Sequence, residues 1–462
     1  MYETVIKNGI IMDPKRRLKT VGNIGIQNGL LAAVTREEIS GNTVIDAANR
    51  IVCPGFVDIH SHLNYPHSAA WLSVCQGITT CLTGNCGMNA ESSIDKFLNN
   101  IEERGYPLNI ATLIGHSFML RSQVGIDDPY ATATPEQRGE MVKLAEQALE
   151  EGALGVSLGL EYAPGTDEEE FLSLARVAAK YDKLVTIHTR AGAFDFATGL
   201  DEAIQIAEKT GARVQISHLA YQFGVHKDVM PMALVMIENA IGRGLPILCD
   251  SGVYAAFATF IQSSVFDPGW EKQYDVALDH LMVSSGKYIG QRATQEMIDE
   301  IRATETDTVG TAFVGVFPDL IRALQTPFTM IATDAGLVEK EGEGHPQDSG
   351  TFPSVFGDLV REQGALSLMD AVYKSTYMPA LQMGIADRKG WIGEGADADL
   401  VIFDPATIQS KSDYVGIGKP DALPVGIEYV FVNGVAVVED SVAKKDRLPG
   451  KTLREKNKPW RL

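Results

Sequence analysis

Two histidines one residue apart, His60 and His62, close an apolar run, Ile51–His60. On an extended backbone that spacing points both imidazoles the same way, so both can reach one ion. Other ligand-type residues recur at the ends of similar runs. Cys86 sits in Gly84-Asn-Cys-Gly87 after Ile78–Gly84, and His188 ends Leu184–His188. His218 ends Arg213–His218, and Asp334 ends Phe328–Asp334. A lone histidine is an ordinary hydrogen-bonded residue; a set at successive strand ends reads as a shared metal site. Imidazole, thiolate and carboxylate together suit zinc best among the common ions. Cys86 has a second reading as a small buried hydrophobe, but its glycine neighbours let backbone approach an ion closely. His116 also ends a run, and a role beside substrate or ligands stands level with a structural one. His67, His226, His280 and His345 fall in loops or helices and read mostly as solvated surface residues.

Strand ends can converge only if the strands share one edge. The runs 51–60, 78–84, 109–115, 153–159, 184–188, 213–218, 245–250 and 328–334 are mostly continuous and apolar, as parallel strands covered on both faces are. Helical patterns separate them. Pro135–Glu151 follows Thr134 as N-cap, Asp167–Tyr181 opens on an acidic cluster, and Gly199–Lys209 and Val229–Gly242 follow. This alternation predicts the α/β class and a (β/α)8 TIM barrel over residues 54–385, with reactive residues at the C-terminal strand ends. The stretch around 256–326 is too long for a simple connection and is expected to be an insertion, a lid or a small subdomain. Residues 1–53 and 386–462 carry alternating strand patterns with turn signals such as Lys7-Asn8-Gly9 and Asn433-Gly434. Neither end can bury a core alone. Together they are expected to form a small β-sandwich; the alternative has each end decorating the barrel separately.

The bulk composition fits this picture. Hydrophobic residues make up 45% and charged residues 22% of 462 residues. A formal charge of −20 argues against nucleic acid or an anionic membrane as partner and leaves a small molecule as the expected one. No apolar run reaches the length of a membrane span and the first residues read as a strand, so the cytoplasm is the expected location. The 5 cysteines are an odd count without paired spacing; Cys53, Cys75, Cys81 and Cys249 read as structural reduced thiols. Oligomeric state stays open, a homo-oligomer included.

These motifs resemble the amidohydrolase superfamily, and within it the D-aminoacylase (N-acyl-D-amino-acid deacylase) branch. The resemblance rests on Pro54-Gly-Phe-Val-Asp-Ile-His-Ser-His62, Gln76-Gly-Ile-Thr-Thr80, Gly84-Asn-Cys-Gly87, Gly155-Val-Ser-Leu-Gly-Leu-Glu-Tyr162, Ile187-His-Thr-Arg190, Gln215-Ile-Ser-His218, Gly350-Thr-Phe-Pro353 and Gly395-Ala-Asp-Ala-Asp-Leu-Val-Ile-Phe-Asp-Pro405. It implies one or two zinc ions, with His60, His62 and Asp334 at one position and Cys86, His188 and His218 at the other. Zinc lowers the pKa of bound water to roughly 7, Asp334 would carry the proton to the leaving nitrogen, and Tyr162 is a candidate donor to the oxyanion. For Tyr162, an aromatic packed against the barrel is the alternative.

The expected substrate residues depart from that branch. Ala220 follows His218 where a basic residue is usual, His345-Pro-Gln347 replaces His-Pro-Arg, and Leu63-Asn64 replaces an acidic pair. Glutamine cannot reproduce the bidentate fork that arginine offers a carboxylate. The expectation is therefore a neutral or cyclic amide substrate, with Arg190, Tyr254, Asn64 and Gln347 as candidate contacts. Arg190 keeps N-acyl-D-amino-acid deacylation open as an alternative. Deamination of a heterocycle is a third reading, weakened because no glutamate is found beside His188 or His218. A metal-free barrel scaffold is a fourth, at odds with the intact ligand set.

Overall fold

The computed structural model describes residues 1–65, 68–89, 91, 93–190, 196–226, 228–305 and 307–454. His67 lies outside them. The continuous apolar runs form parallel strands. Phe56–Asp58, Ile78–Thr83 and Asn109–Thr112 make a 3-stranded sheet. Ile114–Gly115, Gly155–Gly159, Leu184–His188, Arg213–Ile216, Ile247–Ser251 and Thr329–Ile331 make a 6-stranded one. The two sheets meet on both sides. Leu113 N donates to Thr83 O at 2.9 Å and Leu154 N to Thr112 O at 2.8 Å. At the far side Asp334 N donates to His60 O at 2.9 Å and His62 N to Ala335 O at 2.7 Å. The last bonds set His60, His62 and Asp334 next to one another although they come from opposite ends of the strand series.

The expected first strand, 51–60, is in fact two. Ile51–Pro54 joins the sheet of the termini, and Phe56–Asp58 joins the parallel set. Gly55 marks the break: its N donates to Asp399 O at 2.8 Å, and a Cβ there would lie 2.1 Å from Thr79 Oγ1. The helices at Pro135–Glu151, with a Thr134–Gln137 capping box, and at Glu168–Lys180, capped by Asp167, follow their sequence signals. Phe196–Thr210 and Val229–Gly242 complete the expected set.

Both termini share one 9-stranded mixed sheet. Ile51–Pro54 lies between Tyr2–Asp13 and Leu400–Phe403, so the ends pair directly and do not decorate the molecule separately. Ile6, Ile24, Leu31, Leu400 and Phe431 are buried in a common cluster. Within 256–326 the strands Phe257–Phe260, Val309–Ala312 and Leu281–Val283 form a small antiparallel sheet. The helix Phe317–Gln325, expected inside the insertion, packs against Thr329–Ile331 and Val229–Gly242 and is the helix that leads into the last parallel strand. Among the described residues no helix is long and apolar enough to cross a membrane.

Candidate metal centre

The strand ends converge. His60 Nε2 lies 3.2 Å from Asp334 Oδ1 and 3.3 Å from Cys86 Sγ. His62 Nε2 lies 2.9 Å from the same Asp334 oxygen. On the other side, Cys86 Sγ is 3.5 Å from His218 Nε2, which is 2.9 Å from His188 Nδ1. Two groups result: His60, His62, Cys86 and Asp334, and Cys86, His188 and His218, the ligand atoms of each within 4.8 Å of one another. The thiol belongs to both groups, whereas the family resemblance assigned it to the second.

Sharp local turns aim these side chains. Cys86, His218 and Asp334 all have left-handed backbones, with φ of 55°, 34° and 61°. Such conformations cost on the order of 1–3 kcal/mol each and persist only where the surroundings enforce them. Asp250 Oδ1 accepts from His218 N at 2.8 Å, and Gln347 Nε2 donates to Asp334 O at 2.5 Å. Gly84 and Gly87, also at positive φ, frame Cys86.

The charges interlock. Burial opposes ionisation of Cys86, yet His60, His188 and His218 outweigh it and hold the thiol well below its usual range. Burial likewise opposes an Asp334 carboxylate, and His60 and His62 outweigh that. His62 and His188 are held up at about 9 against burial, the first by Asp334 and Cys86, the second by Cys86 and Glu161. Buried lone pairs of nitrogen, sulfur and oxygen aimed at one space, with outer bonds that fix the rings, fit a divalent cation. His60 illustrates the fixing: its Nδ1 lies 3.2 Å from Asp250 Oδ1, which leaves Nε2 facing the cluster.

Around this cluster the other expected residues are placed unequally. Tyr162 lines the cavity; its ring centroid is 4.6 Å from that of His188 and its hydroxyl is 2.7 Å from Thr259 Oγ1. Asn64 lines an adjoining groove of about 340 Å³ that shares His62, Met88 and Leu337 with the cavity. Arg190, expected as a carboxylate contact, is already engaged: Nε meets Glu202 at 3.0 Å, Nη1 meets Pro164 O at 2.7 Å and Nη2 meets Thr166 O at 2.5 Å. Tyr254 bonds Pro346 O at 3.2 Å and Ser412 at 3.3 Å and lines neither space. Gln347 stands behind Asp334, and Ala220 is buried in Leu219–Phe223. His345, expected at the surface, is buried against Tyr254 and Tyr414 and pushed down to about 3 by that burial. His116 is buried on Glu170 at 2.8 Å, and Arg121 meets the same carboxylate oxygen at 2.6 Å.

The sequence reading missed several polar neighbours of the cluster. Glu161 Oε2 lies 2.7 Å from His188 Nε2, which corrects the expectation that no glutamate adjoins the ligand histidines. Gln222 and Tyr221 also line the cavity, and Asp250 holds His60. The one signal for Glu161 is its place just after Gly155–Gly159, at the same edge as the clustered side chains; nothing local pairs it with His188.

A model of the amidohydrolase family matches residues 43–235 and 338–438. The chain belongs to the amidohydrolase family. Within it, the D-aminoacylase branch is the one it shares. This amidohydrolase is 28% identical to the N-acyl-D-glutamate deacylase of Alcaligenes xylosoxydans xylosoxydans, over 98% of its own length and 96% of that protein. A D-aminoacylase crystal structure superposes with a TM-score of 0.86 at 27% identity, over 98% of this chain and 100% of that one. The Bordetella bronchiseptica N-acyl-D-glutamate deacylase, solved with zinc and a phosphonate inhibitor, superposes at 0.88 with 26% identity and the same coverage. This amidohydrolase is a metal-dependent hydrolase of C–N amide bonds other than peptide bonds.

Proposed function

We propose that this chain is a zinc-dependent hydrolase of a neutral or cyclic amide, built on a (β/α)8 barrel with a β-sandwich from both termini. The carrying observation is that no Lys or Arg lines the metal cavity or the adjoining groove among the described residues. Arg190, the expected substitute, is tied to Glu202 and two carbonyls. Among the described residues, a substrate carboxylate would thus meet no Lys or Arg in either space.

His60, His62 and Asp334 would hold an ion on one side of Cys86, and His188 and His218 on the other. When bound, a divalent cation supplies Lewis acidity, which makes water acidic enough to attack near neutral pH and polarises the amide carbonyl. The Asp334 carboxylate accepts the proton of the attacking water and returns it to the leaving nitrogen. The Tyr162 hydroxyl, anchored by Thr259, donates to the oxygen on which charge develops. Burial and the nearby Cys86 keep that hydroxyl protonated, its pKa far above the usual value. Asn64 contacts the part of the substrate that extends into the groove.

The test is a panel of N-acetyl-D-amino acids against neutral lactams, imides and hydantoin-like rings, with zinc-loaded protein. Turnover of neutral amides, with N-acetyl-D-amino acids poor, is the expected outcome. Efficient deacylation of acetyl-D-amino acids with no ring opening would overturn the substrate assignment. Glu161 beside His188 supports a second reading, deamination of a heterocycle, and ammonia release from aminated rings would favour it.

A further inference from the structure

Glu161 has no part in the proton path above, yet it is the carboxylate that adjoins the ligand histidines on the side away from Asp334. Its Oε2 meets His188 Nε2 at 2.7 Å and Gln222 Nε2 at 3.2 Å, and its Oε1 accepts from Tyr274 OH at 3.0 Å. Its backbone oxygen accepts from Ser264 Oγ at 2.7 Å. Tyr274 and Ser264 both belong to the segment inserted before the last parallel strand, and Glu161 and Tyr274 are buried. Gln222 Nε2 also lies 2.9 Å from His188 Nε2; with the hydrogen of the neutral imidazole on Nε2, directed at the carboxylate, which only accepts, the Gln222 amide donates to that same carboxylate oxygen. The lone pair is then left on Nδ1, the atom that faces His218 Nε2 at 2.9 Å.

We propose that Glu161 is a positioning residue for the Cys86–His188–His218 metal position, and that the inserted segment, through Tyr274 and Ser264, locks it there. The inference rests on the metal reading of the cluster but not on which amide is cleaved. Outer partners of ligand histidines commonly contribute roughly 10–100-fold to metal affinity. The arrangement also explains why an insertion distant in sequence reaches this centre: it completes the outer shell of one of its two positions.

The test is cobalt(II) titration of metal-free full-length protein against a competing chelator, followed by absorbance. In the parent, one bound equivalent should vanish in His188→Asn and survive in His62→Asn. Glu161→Gln should weaken that same equivalent roughly 10–100-fold and leave the other unchanged, with parental circular dichroism. Tyr274→Phe should move it a few-fold in the same direction, and it carries the test if Glu161→Gln does not fold. Variants that titrate like the parent would overturn the inference alone. A parent with no cobalt equivalent sensitive to His188→Asn would overturn it together with the metal reading.

Discussion

Asp334 joins two constraints in one residue: a carboxylate in the cluster and a left-handed backbone with φ of 61°. Asparagine tolerates that conformation and matches the side chain in shape, so Asp334→Asn should fold like the parent. It has no carboxylate to carry a proton. Steady-state kinetics should show kcat lower by roughly 10²–10⁴-fold, the range of a general acid–base contribution. A variant that kept parental kcat would remove Asp334 from the proton path. Most of the convergent cluster was legible in the sequence because each member ends an apolar run and strand ends share an edge. Glu161 and Asp250 were harder to read. Each acts on a histidine carried by a different strand, His188 and His60, and pairing across strands leaves no local spacing signal. The engagement of Arg190 by Glu202 was hidden for the same reason: an arginine near a ligand looks free until its neighbours are placed.

Asp58, at the end of Phe56–Asp58, ties the first parallel strand to the last. Its carboxylate accepts from Thr333 N at 3.0 Å, Thr333 Oγ1 at 2.5 Å and His60 N at 3.3 Å. Asp58→Ala leaves buried backbone donors unpaired and should destabilise the chain by about 1–3 kcal/mol in urea denaturation. No loss would show that the backbone bonds alone hold the two strands. Lys374, on the helix Leu368–Ser375, reaches the approach to the last strand through Thr326 O and through Thr329 O at 2.8 Å. Burial pushes its pKa down to about 8 from 10.5, against the pull of Asp370 and Cys249. A base depressed in this way contributes its stability fully above the unfolded value of 10.5 and loses it as pH falls through about 8. The stability gap between parent and Lys374→Met should therefore widen as pH rises from 7 towards 10, read by thermal melts across that range. A constant gap would contradict the buried-ammonium account. Helices with caps were predicted to within a few residues, since a capping box and an acidic first turn are local signals. The split of 51–60 at Gly55 was not, because one apolar run serves two sheets and only tertiary pairing separates them.

At the scale of the whole molecule, the sequence indicated that both termini are β-rich and that the middle alternates strand and helix. It could not show that Ile51–Pro54 and Leu400–Phe403 pair, since sheet partners distant in sequence leave no periodic trace. Nor could it show that the inserted segment reaches the metal cavity with Phe257 and Tyr274. The fold draws side chains from position 60 to position 334 into one buried cluster, and this convergence underlies the hydrolytic account. The most direct test is anomalous diffraction from crystals of zinc-reconstituted protein, recorded on both sides of the zinc absorption edge. The account predicts a strong edge-specific peak between Cys86, His60 and Asp334, with a second peak, of full or partial occupancy, beside His188 and His218. Crystals with no anomalous peak inside the cluster, from protein that still hydrolyses amides in the presence of a strong chelator, would contradict it.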